Sequence, residues 1–214
     1  MKGKNMEKII SYLKEKYRLS SMIVSGDYAE DSIRPGSVFE AIAMGATSPY
    51  AHETAEIEGV KLDVLIYPRE IFYGEISLDE FEQAHEGLVV LDEDGMGSWL
   101  KRMIAQQIAS IPLKNDEAVL DALHWCDAMA ERAMVEDAEG LFCRHWLLTD
   151  SVEVYSDVCG LPFLSPKKTM SKMAKHDSEA AEIHLRAMGS MDKAALNDWV
   201  ELLRKRFEER KSKR

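Results

Sequence analysis

The hydrophobic pattern changes period close to Gly97, and that change limits the folds open to this chain. Before it, short apolar runs end at turn residues. Residues 19–24 lead into Ser25-Gly26, residues 60–67 (VKLDVLIY) stop at Pro68, and residues 88–91 stop at Asp92-Glu93-Asp94-Gly95. Such runs predict strands. Residues 38–44 are open to either reading, because Ala41, Ile42 and Ala43 also suit a helix. One amphipathic helix is predicted ahead of the strands, over 5–17, where Met6, Ile9, Ile10, Leu13 and Tyr17 recur at helical spacing.

Beyond Gly97 helical periodicity runs to the end. Helices are predicted over 99–111 (stopped by Pro112), from Asn115 or Asp116 to about 135, over 138–159, over 167–175, from Asp177 or Ser178, and over 193–210. Gly160 supplies the C-cap of the third. Strands first and helices after indicate an α+β chain, with a small mixed sheet over 1–95 and an all-α bundle over 96–214.

Composition excludes several classes. No apolar run reaches the ~20 residues that span a bilayer. The basic N-terminus is not followed by an apolar signal core, since Glu7, Lys8, Lys14 and Glu15 interrupt it, so a cytoplasmic protein with no membrane partner is expected. Cys126, Cys143 and Cys159 lack metal-ligand or disulfide spacing and read as small buried hydrophobes. A net charge of −11 disfavours unspecific nucleic-acid binding. The basic run Arg204, Lys205, Arg206, Arg210, Lys211, Lys213 and Arg214 reads as the cationic end of a helix rather than a nucleic-acid tail. Trp99, Trp125, Trp146 and Trp199 read as packing anchors, and Met103, Met129, Met134, Met170, Met173 and Met188 as gap-fillers.

Two stretches carry a family likeness. The first is Ile23-Val24-Ser25-Gly26-Asp27, followed by Ser37-Val38-Phe39-Glu40 and Asp63-Val64-Leu65-Ile66. The second is Trp146-Leu147-Leu148-Thr149-Asp150-Ser151-Val152-Glu153-Val154-Tyr155, followed by Gly160, Pro162 and Pro166-Lys167-Lys168. Together they resemble the bacterial nucleotidyltransferases that include aminoglycoside-modifying enzymes. The second matches a W-L-L-x-x-S-x-E-x-Y … G … P-K-K pattern in that family's helical domain.

The resemblance implies a nucleotidyltransferase-like sheet domain and transfer of a nucleoside monophosphate from a triphosphate to a small-molecule or protein hydroxyl. It implies Gly26, Asp27 and Ser37 at the nucleotide, Glu40 and Asp63 as catalytic and metal-holding carboxylates, Mg²⁺ as cofactor, and a homodimer as a compatible assembly. Glu153, Lys167, Lys168 and His124 would border a substrate cleft between the halves. His124, Asp127 and Glu131 are the inward candidates for a general base on the helix over 120–132, with a packed core residue as the other reading of His124. Glu153 is alternatively a structural partner of Arg144 or Lys168.

The departures lie at the chemistry. The family's serine is Asp27, a nearby arginine is Glu30 and the first metal aspartate is Val38. The first two put negative charge where phosphate would dock. Activity weakened or lost is therefore expected. The rival reading is a non-catalytic module whose acidic cleft holds a cationic ligand or a protein, and the last in rank is a fused toxin–antitoxin-like chain.

Overall fold

A computed structural model describes residues 2–46, 50–190 and 192–213. Of the residues singled out in the sequence, Arg214 lies outside them. The chain forms two compact units, residues 1–110 and 111–214, and the architecture is α+β: a mixed sheet followed by a helical part.

In the first unit α1 (Lys2–Tyr17) precedes β1 (Leu19–Ser25), β2 (Phe39–Gly45), β3 (Ala51–Glu53), β4 (Glu56–Ile57), β5 (Val60–Pro68), a short helix α2 (Leu78–Phe81), β6 (Leu88–Asp92) and α3 (Met96–Ser110). The order across the sheet is β3-β5-β2-β1-β6, with β4 paired to β5. β2 and β5 run parallel and the other pairs antiparallel. The open segment 38–44 is thus a strand. β1 and β2 are central and buried on both faces, so their sequences run apolar without alternation. This removes the period-2 signal that separates strand from helix in a short apolar run.

One face of the sheet (Met22, Val24, Phe39, Ala41, Ala43, Leu62, Val64, Ile66) packs with Ile9 and Leu13 of α1. The alternate residues Ile23, Ile42, Met44 and Tyr67 are buried on the other face, where Phe72, Phe81, Leu100 and Ile104 are buried too. Tyr67, Phe72 and Phe81 form a triangle of edge and tilted ring contacts 5.0–5.9 Å apart. α3 packs on β1 and β6, which places the division of the chain after residue 110, not near 95. Its apolar stripe is sheet-facing, and a helical period alone does not say which core a helix joins.

The second unit comprises α4 (Asp116–Ala133), α5 (Ala138–Cys159), α6 (Pro166–His176), α7 (Ser178–Ser190) and α8 (Lys193–Ser212). Side chains satisfy several of the orphan N–H groups at the helix starts: Asn115 accepts from Ala118, Asp137 from Gly140, Ser165 from Lys168 and Asp177 from Ala180. Gly160 closes α5 in the left-handed region at φ +67°. α5 is the central helix, packed by α4, α6, α7 and α8, and its second half, from Ser151, is buried over most of its circumference. The core includes Leu123, Leu147, Val152, Tyr155, Trp199, Leu203 and Phe207.

Trp146 is 43% exposed, and Trp99 belongs to the sheet unit. Met170 and Met188 are 42% and 44% exposed and fill no core gap. The basic end of α8 is internally paired: Arg204 with Asp127, Lys205 with Glu179, Arg206 with Asp177 and Glu179, Arg210 with Asp116, and Lys211 with Glu208. Cys126 and Cys143 are buried and Cys159 is half-buried, all as free thiols.

Candidate functional site

The sheet brings the predicted carboxylates into line. Ser25 at the end of β1 is opposite Glu40 on β2, and Glu40 is opposite Asp63 on β5. Residues opposed in a ladder share a face, so these three form a row across neighbouring strands. They lie on the face that also carries Ile23, Ile42 and Tyr67. His52 of β3 reaches the same row, its Nε2 lying 2.6 Å from Asp63 Oδ1. Asp63 and His52 are about half exposed (side chains 53% and 45%), while Glu40 is half-buried. The Ser25 hydroxyl is buried and has no hydrogen-bond partner among the described residues.

Gly26 starts the turn with φ +63°, a region that only glycine enters at little cost. Its carbonyl accepts from the N–H groups of Ala29 and Glu30 at 3.0 and 3.1 Å. A Cβ at this position would stand 2.7 Å from Glu40 Oε2, so the turn and the β2 carboxylate are in contact range. Gly26→Ala is expected to cost about 1–2 kcal/mol through the left-handed backbone. It would also push the Glu40 carboxylate aside; a urea midpoint together with the Glu40 side-chain NMR shift reports both.

Asp27 and Ser37 are also brought together. Asp27 accepts a hydrogen bond from the Ser37 hydroxyl and a longer one, 3.4 Å, from Ser32. Ser37 Oγ accepts from the Arg34 N–H at 2.9 Å. The loop between β1 and β2 therefore closes on its own polar groups. Val38 contributes no donor atom.

The donor chemistry is that of a pair of carboxylates. Among the described residues no group of three or more His, Cys, Asp or Glu side chains is placed to hold a metal ion. Glu40 and Asp63 suit one hard cation of the kind that keeps several waters. Two carboxylates alone do not make up a two-ion centre.

In the second unit the predicted cleft residues lie on three helices, α4, α5 and α6. His124 is exposed, so it is not a packed core residue. Its neighbours Leu123 and Cys126 take the buried face instead. Glu153 pairs with Lys114 at 2.8 Å, and the same ammonium holds the buried Asp157 at 2.8 Å. Arg144 is not Glu153's partner; its guanidinium donates to the carbonyls of Ala133 and Val135 at the end of α4. Lys167 is exposed and Lys168 half-buried at the start of α6.

Sequence reasoning missed His52 and the cluster around Glu53. Glu53 faces α1, where its Oε2 accepts from Lys16 at 2.5 Å, Tyr17 at 2.9 Å and Tyr12 at 3.4 Å. Its Oε1 accepts from the Ala55 N–H at 3.0 Å. The strand that carries both residues is three residues long, too short to leave a periodic signal.

No family model matches the chain, and no curated protein sequence matches it. Among solved structures it is similar to a nucleotidyltransferase-like protein from Exiguobacterium sibiricum 255-15. That likeness has 9% identity and a TM-score of 0.34, and it covers 96% of this chain and 74% of the other. Among the described residues no helix is long and apolar enough to cross a membrane.

Proposed function

We propose that this chain is a divergent nucleotidyltransferase-type scaffold in which transfer of a nucleoside monophosphate is weakened or lost. One observation carries the reading: Ser25, Glu40 and Asp63 stand in register on three neighbouring strands beside a positive-φ glycine turn, with a hydrocarbon side chain at position 38. Carboxylates in a row beside a glycine turn support this reading, because a cation held by them can bridge to a phosphate chain. The donors needed for the chemistry are incomplete.

A bound Mg²⁺ would supply charge neutralisation for a triphosphate. Glu40 and Asp63 are the residues that would hold it. Asp27 works against phosphate at the turn, because its carboxylate sits where the resemblance places a hydroxyl. His52, on the neighbouring strand β3, is in hydrogen-bond contact with Asp63 at 2.6 Å.

Thermal unfolding with ATP, GTP and CTP, each with and without Mg²⁺ or Mn²⁺, tests this. A ligand at a hundredfold excess over its Kd stabilises by ~2.7 kcal/mol. The native chain is expected to show little or no metal-dependent shift and no transfer of labelled nucleoside monophosphate. The double substitution Asp27→Ser with Val38→Asp is expected to gain a metal-dependent nucleotide shift, which Asp63→Ala then abolishes. Efficient transfer by the native chain, or a double variant as inert as the native one, would defeat the proposal.

A further inference from the structure

The opposite end of the same sheet holds a hollow remote from the carboxylate row. β2 and β5 run from Glu40 and Asp63 to Gly45 and Pro68, so the segment after Pro68 lies at the far end from the carboxylate row. Asp92 of β6 is likewise opposite Ser21, near the start of β1. There Phe72, Tyr73 and Gly74 meet Asp94, Gly95, Met96 and Trp99 around a space of about 470 Å³. That volume lies within the usual range for small-molecule sites.

The lining is chemically one-sided. Three of its residues are aromatic, and the Tyr73 residue is 72% exposed. Asp94 is the only charged residue among them. Its side chain, 16% exposed, is fixed by Ser21 Oγ at 2.6 Å, the Met96 N–H at 3.1 Å and Arg69 Nη2 at 2.8 Å. Burial alone would raise its pKa, but the bonds from Ser21 and Ser20, the Met96 N–H and the charge of Arg69 bring it below the ordinary carboxylate value. Aromatic faces attract cations through their quadrupoles, whereas the charge of Asp94 is already paired with Arg69. Arg69 is not among the lining residues, but its guanidinium is held on Asp94 at 2.8 Å, so the preference for a cation rests on the rings. The overall charge of −11 draws cations toward the protein.

We infer that this hollow binds a small organic monocation with apolar bulk, of the quaternary-ammonium class, held by the rings of Tyr73 and Trp99 beside Asp94. The ligand would be recognised by charge and by alkyl surface together. Nothing in the inference depends on the carboxylate row.

The test titrates choline and its uncharged isostere 3,3-dimethyl-1-butanol, following the N-methyl or tert-butyl proton signal and the tryptophan fluorescence. Choline is expected to bind saturably, with the isostere weaker by about fivefold or more. Tyr73→Ala should weaken choline by about fivefold, and Tyr73→Phe, which keeps the ring, by much less. Tyr73 is exposed, so its variants remain folded even if Trp99→Ala does not. Asp63→Ala should leave choline binding unchanged, which separates this site from the nucleotide question. Equal binding of choline and its isostere, no saturable binding at millimolar choline, or indifference to Tyr73→Ala would each overturn the inference.

Discussion

Trp199→Ala is expected to lower the stability of the helical unit by about 3–5 kcal/mol, the range for emptying a buried aromatic site. Trp199 has no exposed surface. Its ring stacks near Tyr155, with centroids 6.0 Å apart and planes inclined at 23°, and lies 4.7 Å from the His184 ring. Its indole N–H donates to Ser151 Oγ at 2.8 Å. Alanine would leave a cavity between α5, α7 and α8 and strip the buried Ser151 of its donor. Trp199→Phe keeps most of the ring and should cost only about 1–2 kcal/mol, mainly through that lost bond. Trp146, although hydrogen-bonded to Asp150, is 43% exposed, so Trp146→Ala should cost less than about 1 kcal/mol. Urea midpoints read by far-UV circular dichroism rank the three. A Trp199→Ala protein as stable as Trp146→Ala would show that Trp199 is not packed at the centre of the bundle.

Glu53→Gln is expected to destabilise the sheet unit by about 2–3 kcal/mol at neutral pH and to flatten its acid limb. Burial opposes charge on Glu53. Three other influences outweigh it: the Lys16 ammonium, the Ala55 N–H and the Tyr17 hydroxyl bring its pKa from 4.5 down to about 2. A depressed folded-state pKa means that the folded state holds its proton more weakly than the unfolded chain does. The stabilisation is therefore complete above about pH 5, and it is lost as pH falls from there toward 2. One pKa unit corresponds to about 1.4 kcal/mol, and the half-exposed Lys16 side chain keeps the yield below the full figure. Unfolding midpoints of native and Glu53→Gln proteins should therefore converge between about pH 4 and pH 2. A constant gap across that range would mean that the carboxylate's charge contributes nothing beyond its shape. Lys16 has a raised pKa for the complementary reason, its hydrogen bond to Glu53 leading.

Both residues belong to the part of the molecule that local pattern does not disclose. Trp199 is legible as apolar on a periodic helix. Nothing local distinguishes it from Trp146, which shares its residue type and spacing but lies on a wet face. Glu53 would be taken for a solvated charge by any composition rule, because three of its four partners are 36–41 residues away along the chain. The carboxylate row is an intermediate case. Gly26, Glu40 and Asp63 were each identifiable by residue type and position. Their alignment depends on the parallel pairing of β2 with β5, in which a slip of one residue would turn Asp63 to the other face.

Periodicity, turn residues and caps determined locally where strands and helices begin and end. Each of those signals is written into a few consecutive positions. Gly26, Gly160, Pro68 and Asn115 punctuate the chain as their backbone chemistry requires. Only the tertiary structure decided that α3 joins the sheet, that His52 meets Asp63, and that Glu153 takes Lys114 as its partner. It also decided that a ring-lined hollow forms beside Asp94. Those outcomes come from burial and long-range pairing, whose energies depend on residues far apart in the chain.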